Sequence, residues 1–376
     1  RLWPSLLTLA TISAFFVLIC SNLKTRNQVE IITWTLAGGV TLSSAVAIFS
    51  YFGFYLPFDF AQIRSFNPIG AINRLALLQA MIIPITLSWA VFSKSRQIMI
   101  AATTCTMFMA ASFVLANHWP AYLAAAAALA VLALGNITAK IDKQAKGTLV
   151  FIASILLIFL VLRFVPQVAR GTLYMWIQRG DKSANLEQVL SVPKELNLSQ
   201  RAGWEIAAAA IGKRPLLGTG PATFPFAFTQ LKPRSLNTSD NWSVRHEKSS
   251  SELSEIITTV GISGAIAYLL LLVAVVRFMV YLLYKSANKT LYLPLIAAAA
   301  SFIVANFFTV TTFSSSYTFF LILALVVVLA KSRNEQPIYD ITLELATLKN
   351  KLAWLQLVKS QGLLQTSIQV KDTKSQ

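Results

Sequence analysis

Long apolar runs separated by short polar linkers dominate the hydropathy pattern of this chain. Nine runs approach or exceed the roughly 20 residues that a helix needs to cross a bilayer. They fall near residues 3–22, 30–52, 73–92, 98–115, 119–136, 148–164, 256–283, 291–311 and 316–330. Because lipid offers backbone groups no hydrogen bonds, each run is predicted to form a helix. The pattern therefore predicts an all-α, polytopic membrane protein with about nine spanning helices.

One long polar segment interrupts this series and divides the chain. Residues 1–164 are predicted to hold six membrane helices and residues 253–331 three more. Between them, residues 165–252 form a loop too long for an ordinary connection, which favours a small ordered domain. Residues 332–376 follow as a polar tail.

Local patterns predict further helices in the loop and the tail. Ser199 is suited to cap a helix that Gly212 would close. A turn is predicted next, at 215–221. In the tail, leucines recur at helical spacing, which predicts an amphipathic helix in the cytoplasm or on the membrane surface. These leucines are Leu345, Leu348, Leu352 and Leu355.

The distribution of basic residues predicts the orientation of the helices. Lysine and arginine gather in alternate short linkers, whereas the opposite linkers 116–118 and 312–315 have none and 53–72 has Arg64 alone. Since cytoplasmic linkers are the basic ones, residues 165–252 and the N-terminus are predicted to face outward. An outward N-terminus without an initiating Met further predicts that upstream helices are missing. The basic linker residues are Lys24, Arg26, Lys94, Arg96, Lys140, Lys143, Lys146, Lys285, Lys289, Lys331 and Arg333.

Composition narrows the classes of partner. Only 12% of the 376 residues are charged and 56% are apolar, against about 25% charged in a soluble domain. The net charge of +17 could suggest nucleic acid, but the cations lie in linkers and one loop, so membrane lipids and phosphate-bearing substrates are the expected partners, with no nucleic acid. Cys20 and Cys105 lie in apolar runs without nearby ligands, so neither a metal site nor a disulfide framework is predicted.

Cations in the long loop suggest phosphate binding. Topology does not require positive charge on the outward side, and arginine forks well onto phosphate oxygens. The alternative is a solvated loop whose cations touch lipid head groups, and Arg201 could simply pair with Glu205 four residues later. The set comprises Arg170, Arg179, Arg201, Lys213, Arg214, Lys232, Arg234, Arg245 and Lys248.

A second cluster, at 242–255, offers groups for proton abstraction. His246 lies close in sequence to Arg245 and to the carboxylates Glu247, Glu252 and Glu255. Such a set can remove a proton beside a bound anion. Equally, His246 could be an exposed loop histidine, and Glu252 a helix-start carboxylate favoured by the macrodipole.

Three groups of motifs resemble one family of bacterial envelope enzymes. The first is Arg201-x-x-Trp204-x-x-Ala207 with Pro215-Leu216-Leu217-Gly218-Thr219-Gly220 and Phe224. The second is Ser250-Ser251-Glu252-Leu253-Ser254-Glu255 with Gly261-Ile262-Ser263-Gly264, and the third is Asn67-Pro68 with Gly70 and Asn73. Their order and placement over much of residues 60–330 are similar to those of the O-antigen ligase and polymerase family.

The resemblance implies a multi-helix glycosyltransferase in the bacterial cytoplasmic (inner) membrane. Such an enzyme moves a glycan from an undecaprenyl-pyrophosphate carrier to a glycan or lipid acceptor, without metal, nucleotide sugar or other cofactor. Arg201 is the firmest position implied for binding the pyrophosphate, with Arg245 and Arg214 as further candidates. The family's histidine is replaced here by Ser250. His246 or Glu252 could substitute for it, so the catalytic candidates are His246, Glu252 and Ser250.

Alternatives remain open from the sequence. A polymerase of lipid-linked repeat units shares the predicted architecture and differs mainly in its acceptor. A transporter or flippase for lipid-linked or anionic solutes would use the loop as a vestibule, but it should show paired broken helices and functional groups at mid-membrane depth. A structural protein whose loop binds a partner is the third alternative.

Overall fold

A computed structural model describes residues 2–138, 197–238, 242–286, 289–332, 341–347, 353–359 and 368–371. Within them, the helices are Leu2–Asn22 (α1), Arg26–Tyr51 (α2), Ile72–Phe92 (α3), Arg96–Ala116 (α4), Trp119–Thr138 (α5), Gln200–Lys213 (α6), Phe224–Leu231 (α7), Glu252–Lys285 (α8), Lys289–Phe308 (α9) and Phe313–Ser332 (α10). Short 3-10 helices lie at Asp59–Ala61 and Arg234–Thr238. The strands are Ile341–Thr347 (β1), Ala353–Lys359 (β2) and Ile368–Lys371 (β3).

The chain is a polytopic helical membrane protein. Six described helices, namely α2, α3, α4, α8, α9 and α10, are long and apolar enough to cross a membrane. Helices α1 and α5 are also apolar, over Leu7–Asn22 and Trp119–Gly135. Eight of the nine predicted runs coincide with described helices. The run at 148–164 lies outside the described residues, so the number nine stays a prediction.

Helix α3 lies at the centre of the bundle. It contacts α2, α4, α5, α9 and α10, and 78% of the residues in its apolar stretch are buried. Leu75, Met81 and Ile82 are almost fully enclosed. On one side, Trp89 stacks on Trp34 of α2 with ring centroids 4.3 Å apart. The helix is thus surrounded by protein on most sides.

Helices α6 and α7 form a small layer on the N-terminal part of α8, here called the cap (residues 197–238). Ser199 caps α6 by accepting a hydrogen bond from the amide of Ala202, which confirms the predicted start of this helix. The cap has its own apolar core of Leu198, Ala202, Ile206, Phe224 and Phe228. Residues 197–238 therefore fold into helices with a core of their own, whereas residues 165–196 lie outside the described residues and the loop domain stays a prediction.

The tail contains strands where a helix was predicted, so that prediction is wrong. Strand β1 pairs antiparallel with β2, with Leu345 opposite Leu355, and parallel with β3. The sequence of β1, Ile-Thr-Leu-Glu-Leu-Ala-Thr, alternates apolar residues with less apolar ones, which is the period of a strand. The leucine spacing fitted a helix only because the two strands were counted together. Leu348 and Leu352 lie outside the described residues.

Candidate functional site

The cap lies over one end of the helical bundle. Gln200, at the start of α6, donates hydrogen bonds to the carbonyls of Phe308 at 2.6 Å and Ser250 at 3.1 Å. Phe308 ends α9 and packs edge-on against Trp119, which begins α5, with ring centroids 5.4 Å apart. The starts of α5, α6 and α8 and the end of α9 therefore meet in one region.

Glu252 is tied to the connector between α9 and α10. Its carboxylate accepts hydrogen bonds from the amide of Thr311 at 2.9 Å and from the Thr311 hydroxyl at 2.7 Å. Its own amide donates to the carbonyl of Thr309 at 3.3 Å. It is the first residue of α8, where a negative charge is favoured by the helix dipole. The carboxylate is therefore half-buried and fixed in place.

Lys248 shares this connector. Its ammonium group donates to the carbonyl of Thr311 at 2.9 Å, which brings a cation to the residue that binds Glu252. A carboxylate and an ammonium group thus flank Thr311. This pairing combines a proton acceptor with a charge that can attract an anion.

Ser250 is buried under α6. It is 5% exposed, and its hydroxyl has no hydrogen-bond partner among the described residues. A Cβ added at Gly203 would approach this hydroxyl to 2.1 Å, so the absence of a side chain there permits the contact. Ser250 is enclosed between α6 and α8, which makes it a packing residue rather than an open catalytic surface.

The neighbouring serines form a hydrogen-bonded start to α8. Ser251 caps the helix in a capping box with Ser254. Ser249 shares a 2.7 Å hydrogen bond with the Ser254 hydroxyl, and its amide donates to Glu255 at 2.7 Å. Glu255 therefore serves the turn that precedes the helix. These bonds account for Ser249, Ser251 and Ser254 in structural terms.

His246 lies beside the cap core. Its ring meets Phe228 of α7 edge-on, with centroids 5.4 Å apart, and it is partly buried. The imidazole is therefore positioned by α7, whereas Glu252 is positioned by the α9–α10 connector. His246 and Glu252 lie close together in the sequence. In the structure, different elements hold their side chains in place.

The three candidate arginines occupy separate exposed positions. Arg201 is 88% exposed and bonds Glu205 at 2.8 Å, as the alternative interpretation of this residue expected. Arg214 follows the last turn of α6 and Arg245 lies in the segment before α8, and both are exposed. Because α6 has 14 residues, Arg201 and Arg214 lie about 20 Å apart along its axis. They mark opposite ends of α6.

The segment 214–220 joins the cap to a break in α8. Gly261 has φ 79° and ψ −167°, outside helical geometry. At this break the amide of Gly220 donates to the carbonyl of Thr259 at 2.8 Å, and the amide of Ile262 donates to that of Pro215 at 3.0 Å. Backbone groups of α8 that have no helical partner at the break therefore form hydrogen bonds with segment 214–220.

A small cleft opens beside Thr311 and was not predicted from the sequence. Its free space is on the order of a single water molecule, far below that of pockets for drug-sized ligands. Asn306, in its wall, donates a 2.8 Å hydrogen bond to the hydroxyl of Tyr268. The sequence signals were the threonines of the connector at 309–312 and an asparagine within an apolar run. The lining residues are Leu77, Met81, Phe302, Ala305, Asn306, Thr309, Val310, Thr311 and Ser315.

Comparisons with known proteins identify no family. No protein-family model matches the chain, and a search of curated proteins finds no match. The described residues include no cluster of three or more His, Cys, Asp or Glu side chains suited to a metal ion.

Proposed function

We propose that this protein is an O-antigen-ligase-like glycosyltransferase. It transfers a glycan from an undecaprenyl-pyrophosphate carrier to an acceptor hydroxyl at the outer face of the bacterial cytoplasmic membrane. The cap and the connectors beneath it are the site of this reaction. The large loop faces outward in this proposal, as the charge of the linkers predicts.

The contact between distant motifs is the observation that supports the proposal best. Gly203, in the arginine motif, packs on Ser250, the position of the family's histidine. The segment 215–220 bonds the glycine motif around Gly261. Residues that were linked only by resemblance thus share two interfaces within one region of the fold.

The chemistry follows from the charges in this region. The acceptor hydroxyl attacks the anomeric carbon of the donor sugar, the new glycosidic bond forms, and the bond to the carrier's diphosphate breaks. Cationic side chains stabilise the charge that develops on the departing diphosphate. Arg201 and Arg245 are assigned this role, and Arg201 would exchange Glu205 for the stronger diphosphate partner.

The proton of the acceptor hydroxyl needs a base. Glu252 is the first choice, because two hydrogen bonds from Thr311 hold its carboxylate in one orientation beside the cleft. His246 is the second choice. Ser250 is assigned a packing role because its hydroxyl is enclosed.

The test is glycan transfer by purified protein in liposomes, with a labelled undecaprenyl-pyrophosphate glycan and a separate acceptor. Arg201→Ala and Arg245→Ala should each lose most activity, by about 100-fold as for removal of a transition-state donor. Arg234→Ala is the matched control, since Arg234 is an exposed cap arginine without an assigned role. If both variants retained transfer at the control's level, the proposal would be wrong.

The same assay identifies the base. Glu252→Gln preserves the shape of the side chain but removes its charge, so it should abolish transfer while the donor still binds. His246→Gln should then have the smaller effect. The opposite order would assign the proton transfer to His246.

The same experiment distinguishes the proposed transferase from two other functions. A polymerase would extend the lipid-linked units in liposomes that hold no separate acceptor. A transporter would move the labelled lipid across the bilayer without altering its glycan. The break in α8 is a feature that transporters use, but here its backbone groups are occupied by segment 214–220, which favours the enzyme.

A further inference from the structure

Two leucines of the cap are exposed at the tip of segment 214–220. Leu216 is 67% exposed and Leu217 is 76% exposed, and they follow the exposed Arg214 and Pro215. We propose that this leucine pair inserts into the outer boundary of the bilayer, next to α8, and thereby anchors the cap to lipid. The inference rests on the proposed outward orientation of residues 165–252, and its test does not use glycan transfer.

Hydrogen bonds fix the height of the leucine pair along α8. The carbonyl of Leu216 accepts from the Ser263 hydroxyl at 2.6 Å and from the Ser263 amide at 3.4 Å. The amide of Thr219 donates to the carbonyl of Thr258 at 3.0 Å. The leucines are therefore held level with residues 258–263 and cannot move independently of the helix.

Two glycines make this contact possible. A Cβ at Gly261 would lie 2.4 Å from the carbonyl oxygen of Leu216, and one at Gly218 would lie 2.7 Å from the amide nitrogen of Gly261. Both glycines have positive φ, 79° and 61°. Because backbone atoms stand on both sides, no side chain can be accommodated by a rotamer change. The attachment thus depends on direct backbone contact.

The leucine pair continues the lipid-facing surface of α8. Only 17% of the residues in the apolar stretch of α8 are buried, so most of that helix faces outward from the bundle. Ile262 and Ile266 are exposed one turn apart, and Leu270 follows one turn further. Leu216 bonds the residue next to Ile262, which extends the apolar strip sideways onto the cap.

The length of α8 places this level at the edge of the hydrocarbon. After the break at Gly261, the helix runs from Ile262 to Lys285 and spans about 36 Å, whereas the hydrocarbon core is about 30 Å thick. Counting about 20 residues back from Lys285, a cation suited to the opposite boundary, reaches residue 265. Residues 261–263 lie one turn beyond, at the head-group boundary. Apolar side chains exposed there enter lipid rather than water.

The same arrangement places Arg214 where it binds lipid phosphate. It lies two residues before Leu216, exposed at the end of α6 and far from Arg201. A guanidinium group at the head-group level binds lipid phosphate while the neighbouring leucines enter the acyl region. The segment Arg214-Pro215-Leu216-Leu217 thus combines a phosphate contact with an apolar wedge.

Fluorescence quenching tests the position of the pair. A bimane label is attached to Leu217→Cys in a background of Cys20→Ala and Cys105→Ala, and the protein is reconstituted in vesicles with lipids brominated on the upper acyl chain. Quenching should approach that of a label at Leu270→Cys, which lies on the exposed apolar surface of α8. A label at Arg234→Cys should instead be quenched by aqueous iodide. All three positions are exposed, so labelling should leave the fold intact.

The quenching results at position 217 distinguish insertion into lipid from exposure to water and from contact with protein. Lipid quenching at position 217 without iodide quenching supports insertion. Iodide quenching equal to that at 234 would overturn it, and so would protection from both quenchers, which would indicate contact with another protein copy. Adding Gly261→Ala should shift the label at 217 towards iodide and leave the label at 270 unchanged. Gly212→Ala, in open space at the end of α6, is the matched control for that change.

Discussion

Helices α3 and α8 are both predicted membrane spans, yet they occupy opposite environments. In α3, 78% of the residues in the apolar stretch are buried, against 17% in α8. The more apolar of the two is α8, the one with the greater exposure. Hydrophobicity therefore predicts that a helix spans the membrane, but not whether protein or lipid surrounds it.

Polar residues distinguish the two helices better than apolar ones. Buried α3 carries Gln79, Thr86 and Ser88 along its length, whereas α8 has its buried polar residues near its start. Since lipid chains are as apolar as leucine, a polar side chain favours a position between helices, where it can find a partner. Between these two helices, the one with buried polar residues along its length is the central one.

The largest expected effect concerns the break in α8. Gly261→Ala places a Cβ against the carbonyl of Leu216 and requires a backbone conformation that favours glycine. Together these should lower the free energy of unfolding by about 4 kcal/mol. Thermal unfolding in detergent measures this. Gly39→Ala in α2, where a Cβ meets open space, should be neutral or mildly stabilising. Similar melting of both variants would contradict the attachment at Gly261.

Truncating a buried side chain of α3 to alanine should lower the stability of the protein more than truncating an exposed side chain of α8. Met81 is 1% exposed, so Met81→Ala should destabilise the protein by about 2–3 kcal/mol. Leu270 is 64% exposed, and Leu270→Ala should change stability little because lipid can fill the space. Comparable losses of stability in the two variants would show that α8 is covered by protein in this region.

Substituting the two partners of the polar contact between α3 and α2 should lower the stability of the protein by different amounts. The Gln79 amide donates to the Ser44 hydroxyl at 2.7 Å, and the amide oxygen has no partner among the described residues. Ser44→Ala removes the acceptor for a buried donor and should cost about 1–2 kcal/mol. Gln79→Leu removes the polar group itself and should cost less, about 0.6 kcal/mol. A greater loss from Gln79→Leu would contradict this order.

The smallest expected effect on stability is at the cap surface. Arg201 and Glu205 form an exposed pair, so Arg201→Ala should change the free energy of unfolding by at most about 0.5 kcal/mol. Any large loss of glycan transfer in this variant would then reflect binding or catalysis rather than folding. If the melting temperature of Arg201→Ala fell as well, the loss of transfer could be explained by loss of folding.

Much of the helical framework was predictable from the sequence. Runs of about 20 apolar residues define the spans because the bilayer imposes both length and helical geometry. The start of α6 was predictable because Ser199 satisfies a local capping rule. The strands of the tail were missed because the leucine spacing was compared with a helix and not with alternation over each short segment.

The candidate site was less predictable, because long-range contacts create it. Glu252 was recognised, but its attachment to Thr311 joins residues 59 positions apart. Ser250 was selected by alignment with a motif, whereas its burial depends on Gly203 of another helix. Gly261 was identified within a motif, but its conformation follows from the docking of segment 214–220. Such contacts leave little signal in one sequence.

The stack of Trp34 on Trp89 provides an optical reporter within the bundle. Two indoles held in near-parallel contact couple their electronic transitions and produce a near-ultraviolet dichroic signal that disappears when side-chain packing is lost. Because the pair joins α2 to α3, its contribution to the signal reports the packing of these two helices. Spectra of the Gly261→Ala protein would then show whether the bundle stays assembled when the cap is released.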